Sequence, residues 1–100
     1  MYARVLTRQT KPGAMKEAIA EYRNNVLPAA NEHSGFKGLL ALANQGTGKF
    51  VSITLWETEH DMMAGERSQY LQQQIDRMAP YVSGAPITEH FELVVATPVK

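Results

Sequence analysis

The sequence contains no cysteine, which excludes disulfide staples, thiolate metal sites and cysteine nucleophiles. It lacks an excess of charge of either sign, since 10 Lys and Arg stand against 10 Asp and Glu. There is thus no electrostatic reason to expect nucleic acid or an anionic membrane as partner. It also lacks any apolar run near the ~20 residues that span a bilayer, and the opening MYARVLTRQT has no signal-peptide core. These absences lead to the expectation of a cytoplasmic protein with no nucleic-acid and no membrane partner. What remains is a chain of 100 residues, enough for one domain with a modest core. Its hydrophobic share of 44% is that of a folded globular chain and argues against disorder.

The elements follow from periodicity and punctuation. Tyr2 to Gln9 alternates residue types and carries β-branched Val5 and Thr7, so it reads as a strand ended by Lys11-Pro12-Gly13. Met15, Ala18, Ile19, Tyr22, Val26 and Ala30 fall on one helical stripe. Pro28 removes a backbone donor there and predicts a kink or an end nearby, with Gly35 able to take positive φ at the exit. Phe36–Asn44 and Phe50–Trp56 flank the turn residues Asn44–Lys49 and read as a hairpin. Thr58 and Asp61 fit a capping box for one helix carrying Met63, Tyr70, Leu71, Ile75 and Met78 on one side and ending before Pro80. Ser83–Pro86 reads as a loop and Thr88–Ala96 as the last strand. The order βαββαβ predicts an α+β fold, the ferredoxin-like sandwich, with two helices on one face of a four-stranded antiparallel sheet. One domain is expected over 1–96, with a frayed tail over 97–100.

Two helices cover only one face of such a sheet, and a wet face requires alternation of apolar and polar residues. Leu39-Leu-Ala-Leu-Ala43, Leu93-Val-Val-Ala96 and Val5-Leu6 instead place apolar groups on both faces. An open face of that kind is larger than soluble monomers usually show. A homodimer with two sheets back to back is therefore expected.

The chain resembles the dimeric α/β-barrel proteins related to antibiotic biosynthesis monooxygenases. The residues that carry the resemblance are Lys11-Pro12-Gly13, Ser34-Gly35-Phe36-Lys-Gly38 and above all Val51-Ser-Ile-Thr-Leu-Trp56-Glu57-Thr58-Glu59. It covers roughly residues 1–96 and is specific for fold rather than activity. It implies a homodimer, a dimeric α/β barrel, with a ligand cavity between sheet and helices of each subunit. It also implies, in some relatives, cofactor-independent oxygenation of polycyclic phenols or quinols. Those oxygenases carry an Asn four residues before the Trp and a Tyr near the start of the second helix. Here Ser52 stands in the first place, and Met62 and Met63 in the second. The Asn, Trp and His of haem-degrading relatives fall near Leu6, Ala64 and Gln74, so no haem chemistry is expected.

On the third strand Val51, Ile53 and Leu55 share one face, while Phe50, Ser52, Thr54 and Trp56 share the other. The mixed set suits a cavity wall where a few polar groups orient an apolar ligand. Trp56 has two readings: it stacks on or hydrogen-bonds a ligand ring, or it anchors the second helix in the core. Arg4 shares its face with Tyr2, Leu6 and Arg8; beneath the helices it needs a partner, either a ligand anion or an acid of the second helix. Tyr70 and Tyr22 each either line the cavity or pack in the core. His33, His60 and His90 each adjoin a carboxylate in sequence, but adjacent residues do not face one another on a helix or strand. No metal site is read from them, and His90, on a strand, is the best acid/base candidate. Gly46-Thr-Gly48-Lys49 lacks the leading Gly and final hydroxyl of a phosphate loop and reads as a turn.

The expectation is a cofactor-independent monooxygenase binding a small aromatic phenol or quinol through Arg4, Ser52, Trp56, Tyr70 and His90, with no cofactor. The competing expectation is a non-catalytic homodimeric binding or stress-related protein of the same fold.

Overall fold

The computed structural model describes residues 1–98; Val99 and Lys100, the end of the expected tail, lie outside the described residues. Strands β1 (Tyr2–Thr10), β2 (Phe36–Asn44), β3 (Lys49–Trp56) and β4 (Val82–Glu92) form one antiparallel sheet in the order β2-β3-β1-β4. The β2–β3 hairpin closes through Asn44, whose Oδ1 accepts the Gly46 and Thr47 N–H groups at 3.0 and 3.1 Å, the local bonding that favours Asn in turns. With the helices packed on one face, this is the α+β ferredoxin-like sandwich.

The first helix departs from expectation in its geometry rather than its place. α1 (Met15–Glu21) runs into a π-helical turn (Tyr22–Val26) and on into α2 (Leu27–Asn31). The widened turn lies just before Pro28, where the helix lacks a donor, and the chain remains helical through it. It leaves through Gly35 at φ +80, where any Cβ would collide with the Asp61 carboxylate. Thr58 Oγ1 accepts the Asp61 N–H at 3.0 Å and opens α3 (Glu59–Arg67), as the capping box predicts.

The expected single second helix is two. α3 stops at Ser68, whose backbone is extended, and α4 (Tyr70–Met78) restarts after it. The Ser68 hydroxyl donates to the Gly65 carbonyl at 3.3 Å and accepts the Tyr70 N–H at 3.2 Å. A serine thus competes with the helical ladder. The last strand is also shifted. β4 begins at Val82 and ends at Glu92, so the expected loop Ser83–Pro86 lies inside it as a bulge in which Gly84, Ala85 and Pro86 oppose Arg8. Leu93 to Ala96 lie outside the strand. The Leu93 N–H still bonds the Met1 carbonyl at 2.9 Å.

The helices cover one sheet face with a core of Met15, Ala18, Tyr22, Val26, Phe50 and Met78. The opposite face carries Leu40, Leu42, Ile87 and Phe91, which are 42%, 52%, 61% and 50% exposed. No helix among the described residues is long and apolar enough to cross a membrane.

Candidate functional site

Strand alternation brings Arg4, Leu6 and Arg8 of β1 and Phe50, Ser52 and Thr54 of β3 beneath the helices. Above them Tyr22 and Val26 descend from the π-helical turn, and Tyr70, Gln74 and Met78 from α4. Between these layers lies a mostly apolar cavity of about 50 Å3, space for a few waters. Against it lies an open groove of about 240 Å3 between the first helix and β2, and Tyr22, Leu39 and Phe50 line both.

Of the polar residues on the cavity, Arg4, Tyr22, Thr54 and Gln74 are buried, and Arg8, Ser52 and Tyr70 are half-buried. Tyr22 Oη and Ser52 Oγ share a hydrogen bond. Burial pushes the Tyr22 phenol up to about 12 despite that bond, and burial raises Tyr70 as well. Both phenols are therefore protonated donors at neutral pH. Tyr70 owes its position to the helix break and to Gly65, where a Cβ would meet its ring at 3.1 Å.

Arg4 is only 2% exposed. Its Nη1 donates to the Met62 carbonyl at 2.9 Å and to Glu66 Oε2 at 3.3 Å, while Nε has no partner. Burial lowers its pKa and the Glu66 charge opposes that effect. Glu66, an acid of the second helical segment, thus supplies one of the partners expected for Arg4. The same Glu66 oxygen lies 2.6 Å from His90 Nε2, so a rim histidine reaches the buried cation through one carboxylate.

The structure places Arg4, Ser52 and Tyr70, with Tyr22, on one cavity. Trp56 and His90 lie off it. Trp56 is fully buried, its indole N–H donates to Thr54 Oγ1 at 2.9 Å, and His33, Phe36 and Tyr70 surround its ring. The Arg4 guanidinium sits 5.2 Å from the indole centroid, so Trp56 holds Arg4 and Tyr70 from behind. His90 lines a separate surface groove with Met62 and Met63. Sequence reasoning passed over Gln74 and Arg8, which do line the cavity. The signal for Gln74 was a polar residue midway between Tyr70 and Met78 on an apolar stripe.

A four-stranded antiparallel sheet, helices on one face and a small cavity between the layers define a ferredoxin-like α+β domain. The chain belongs to the antibiotic biosynthesis monooxygenase family, whose profile matches residues 1–77. It is 31% identical over 93 residues to an uncharacterized protein of Mycobacterium tuberculosis, covering 93% of this chain and 41% of that protein. The chain thus spans about two-fifths of the length of the curated relatives it matches. Among solved structures, a Nitrosomonas europaea protein of unknown function aligns with TM-score 0.74 and 25% identity over 99% of this chain and 94% of its own. A monooxygenase from the gene ActVA-Orf6 of Streptomyces coelicolor, in complex with nanaomycin D, aligns with TM-score 0.72 and 19% identity. That alignment covers 98% of this chain and 92% of that one, and at such identity the likeness is one of fold.

Proposed function

We propose that this chain is a cofactor-independent monooxygenase that takes a small aromatic phenol or quinol into the cavity between sheet and helices. The observation that carries this reading is an apolar cavity bordered by the Tyr22–Ser52 pair, Tyr70 and the buried Arg4 cation. In this reading Arg4, Ser52 and Tyr70 face the ligand, Trp56 supports Arg4 and Tyr70, and His90 acts through Glu66. No carboxylate or imidazole lines the cavity among the described residues. The substrate anion then forms by its own acidity, and Arg4 with the phenol donors stabilises it. The electrons also come from the substrate. Its carbanion form passes one electron to O2, the radical pair joins as a peroxide, and loss of water leaves a ketone. For a ring methylene the substrate gives up two hydrogens and gains one oxygen, and the second oxygen leaves as water.

The apolar sheet face fits a second copy of the chain, which makes the working unit a homodimer. A second reading, a non-catalytic binding module, is favoured by one observation: Ser52, in the place where oxygenase relatives carry Asn, is already engaged by Tyr22. Oxygen uptake with anthrone and 1,4-naphthohydroquinone separates the two. The oxygenase reading expects protein-dependent uptake that falls at least tenfold in Arg4→Met. Uptake no faster than buffer, for substrates that bind, leaves the binding module.

A further inference from the structure

Gln74 is a buried amide with one end unanswered. It lies on α4, 7% exposed, and its Nε2 donates to the Tyr70 carbonyl one turn back at 3.3 Å. A backbone carbonyl only accepts, so the nitrogen must stand on that side and the amide cannot be flipped. Oε1 is therefore fixed as an acceptor, and it is buried with no partner. Gln74 lines the cavity together with Arg4, whose Nε is a buried donor with no acceptor. Orphaned polar atoms of this kind are rare in folded proteins and call for an explanation. One unmet acceptor, Gln74 Oε1, and two unmet donors, Arg4 Nε and Arg8 Nε, belong to residues of the same apolar cavity and describe the polar end of a missing ligand. A hydroxyl carries the complement that Oε1 lacks, an O–H donor.

We infer that Gln74 sets ligand specificity: its Oε1 receives a hydrogen bond from an O–H or N–H of the ligand. Compounds that present such a donor are admitted, and their O-alkylated analogues are rejected. The inference rests on the aromatic-ligand reading above and adds to it the polarity of the recognised group. The ring body then lies towards Tyr22 and Phe50, with its donor turned to α4. Rejection arises because a methyl ether leaves the buried acceptor unpaired while displacing any water that served it.

The test compares 1-naphthol with 1-methoxynaphthalene by isothermal titration calorimetry on the full chain. The ether is the more hydrophobic of the two, so burial alone would favour it. We expect the naphthol to bind about 10–100-fold more tightly. In Gln74→Met, which keeps length without the amide, that ratio should fall to within about threefold. Equal binding of both compounds to the natural chain overturns this inference alone and needs no variant. An unchanged ratio in folded Gln74→Met overturns it too. Binding of neither compound overturns the aromatic-ligand reading, and this inference with it.

Discussion

Replacing Tyr22 by Phe removes one oxygen from the cavity wall, with a cost that depends on pH in a calculable way. At neutral pH the change leaves Ser52 Oγ without its partner, a loss of about 1 kcal/mol for a mostly buried hydrogen bond. In alkali the balance shifts. Burial holds the Tyr22 phenol at about 12 against an ordinary value of 10, so the folded chain keeps a proton that the unfolded chain releases. The sign follows: no penalty exists below about pH 10, and stability is lost as pH rises from 10 to 12. The loss is about 1.4 kcal/mol at pH 11 and approaches about 3 kcal/mol above pH 12. The phenyl ring of Tyr22→Phe has no proton to lose, and Tyr70, also raised, is common to both proteins and cancels. Urea unfolding followed by the fluorescence of buried Trp56, at one fixed protein concentration, measures the difference. The variant should unfold at lower urea than the natural chain at pH 7 and at equal or higher urea at pH 11. A gap between the two midpoints that is the same at both pH values would refute the reasoning.

Three further outcomes are expected. Glu66→Ala strands the buried Arg4 cation and should cost about 1–3 kcal/mol, discounted because Glu66 is partly exposed. Arg4→Met removes the charge itself and should cost less in the same urea assay; the reverse order contradicts the pairing. Because no carboxylate or imidazole lines the cavity among the described residues, the pH profile of oxygen uptake should move with the phenol pKa across a substrate series. A profile that stays fixed would reveal a protein base. Sedimentation should give the mass of two copies for the natural chain and of one for the Leu42→Asp, Phe91→Asp double variant. A natural chain that sediments as a monomer at micromolar concentration removes the homodimer.

What the sequence made legible was the periodic part of the molecule. Alternation in Phe50–Trp56 separated the cavity wall from the open face, and the Thr58–Asp61 pair marked a helix start that forms as written. The misreadings each turn on hydrogen-bond partners that composition alone does not show. Gly84 and Pro86 have loop chemistry, yet β1 draws them into a bulge against Arg8. Leu93–Ala96 has strand composition, yet the β1–β4 ladder ends at the Tyr2–Glu92 pair. Ser68 interrupts a good helical stripe because its hydroxyl takes over the Tyr70 N–H. At the site, Arg4, Ser52 and Tyr70 were legible because polar groups on a buried face stand out. Gln74 was harder to read, since only its place between Tyr70 and Met78 on the helical stripe sets it apart from its exposed neighbours Gln72 and Gln73.

The sheet has two outer strands, β2 and β4, and they are not equivalent. The β4 edge is spoiled in its middle by its bulge and by Pro86, which has no N–H to offer, whereas β2 is irregular only at its start, between Phe36 and Gly38, and runs in unbroken register from Gly38 to Asn44. Growth of a fibre through sheet edges requires two competent edges on every molecule. A subunit with one can extend a neighbour's sheet only by β2 meeting β2, a contact that maps onto itself under a two-fold axis and therefore closes at a pair. Filaments assembled from the native chain would contradict this. With one edge blunted, edge association stops at two, and an apolar sheet face can be carried without open-ended polymerisation along the ladder.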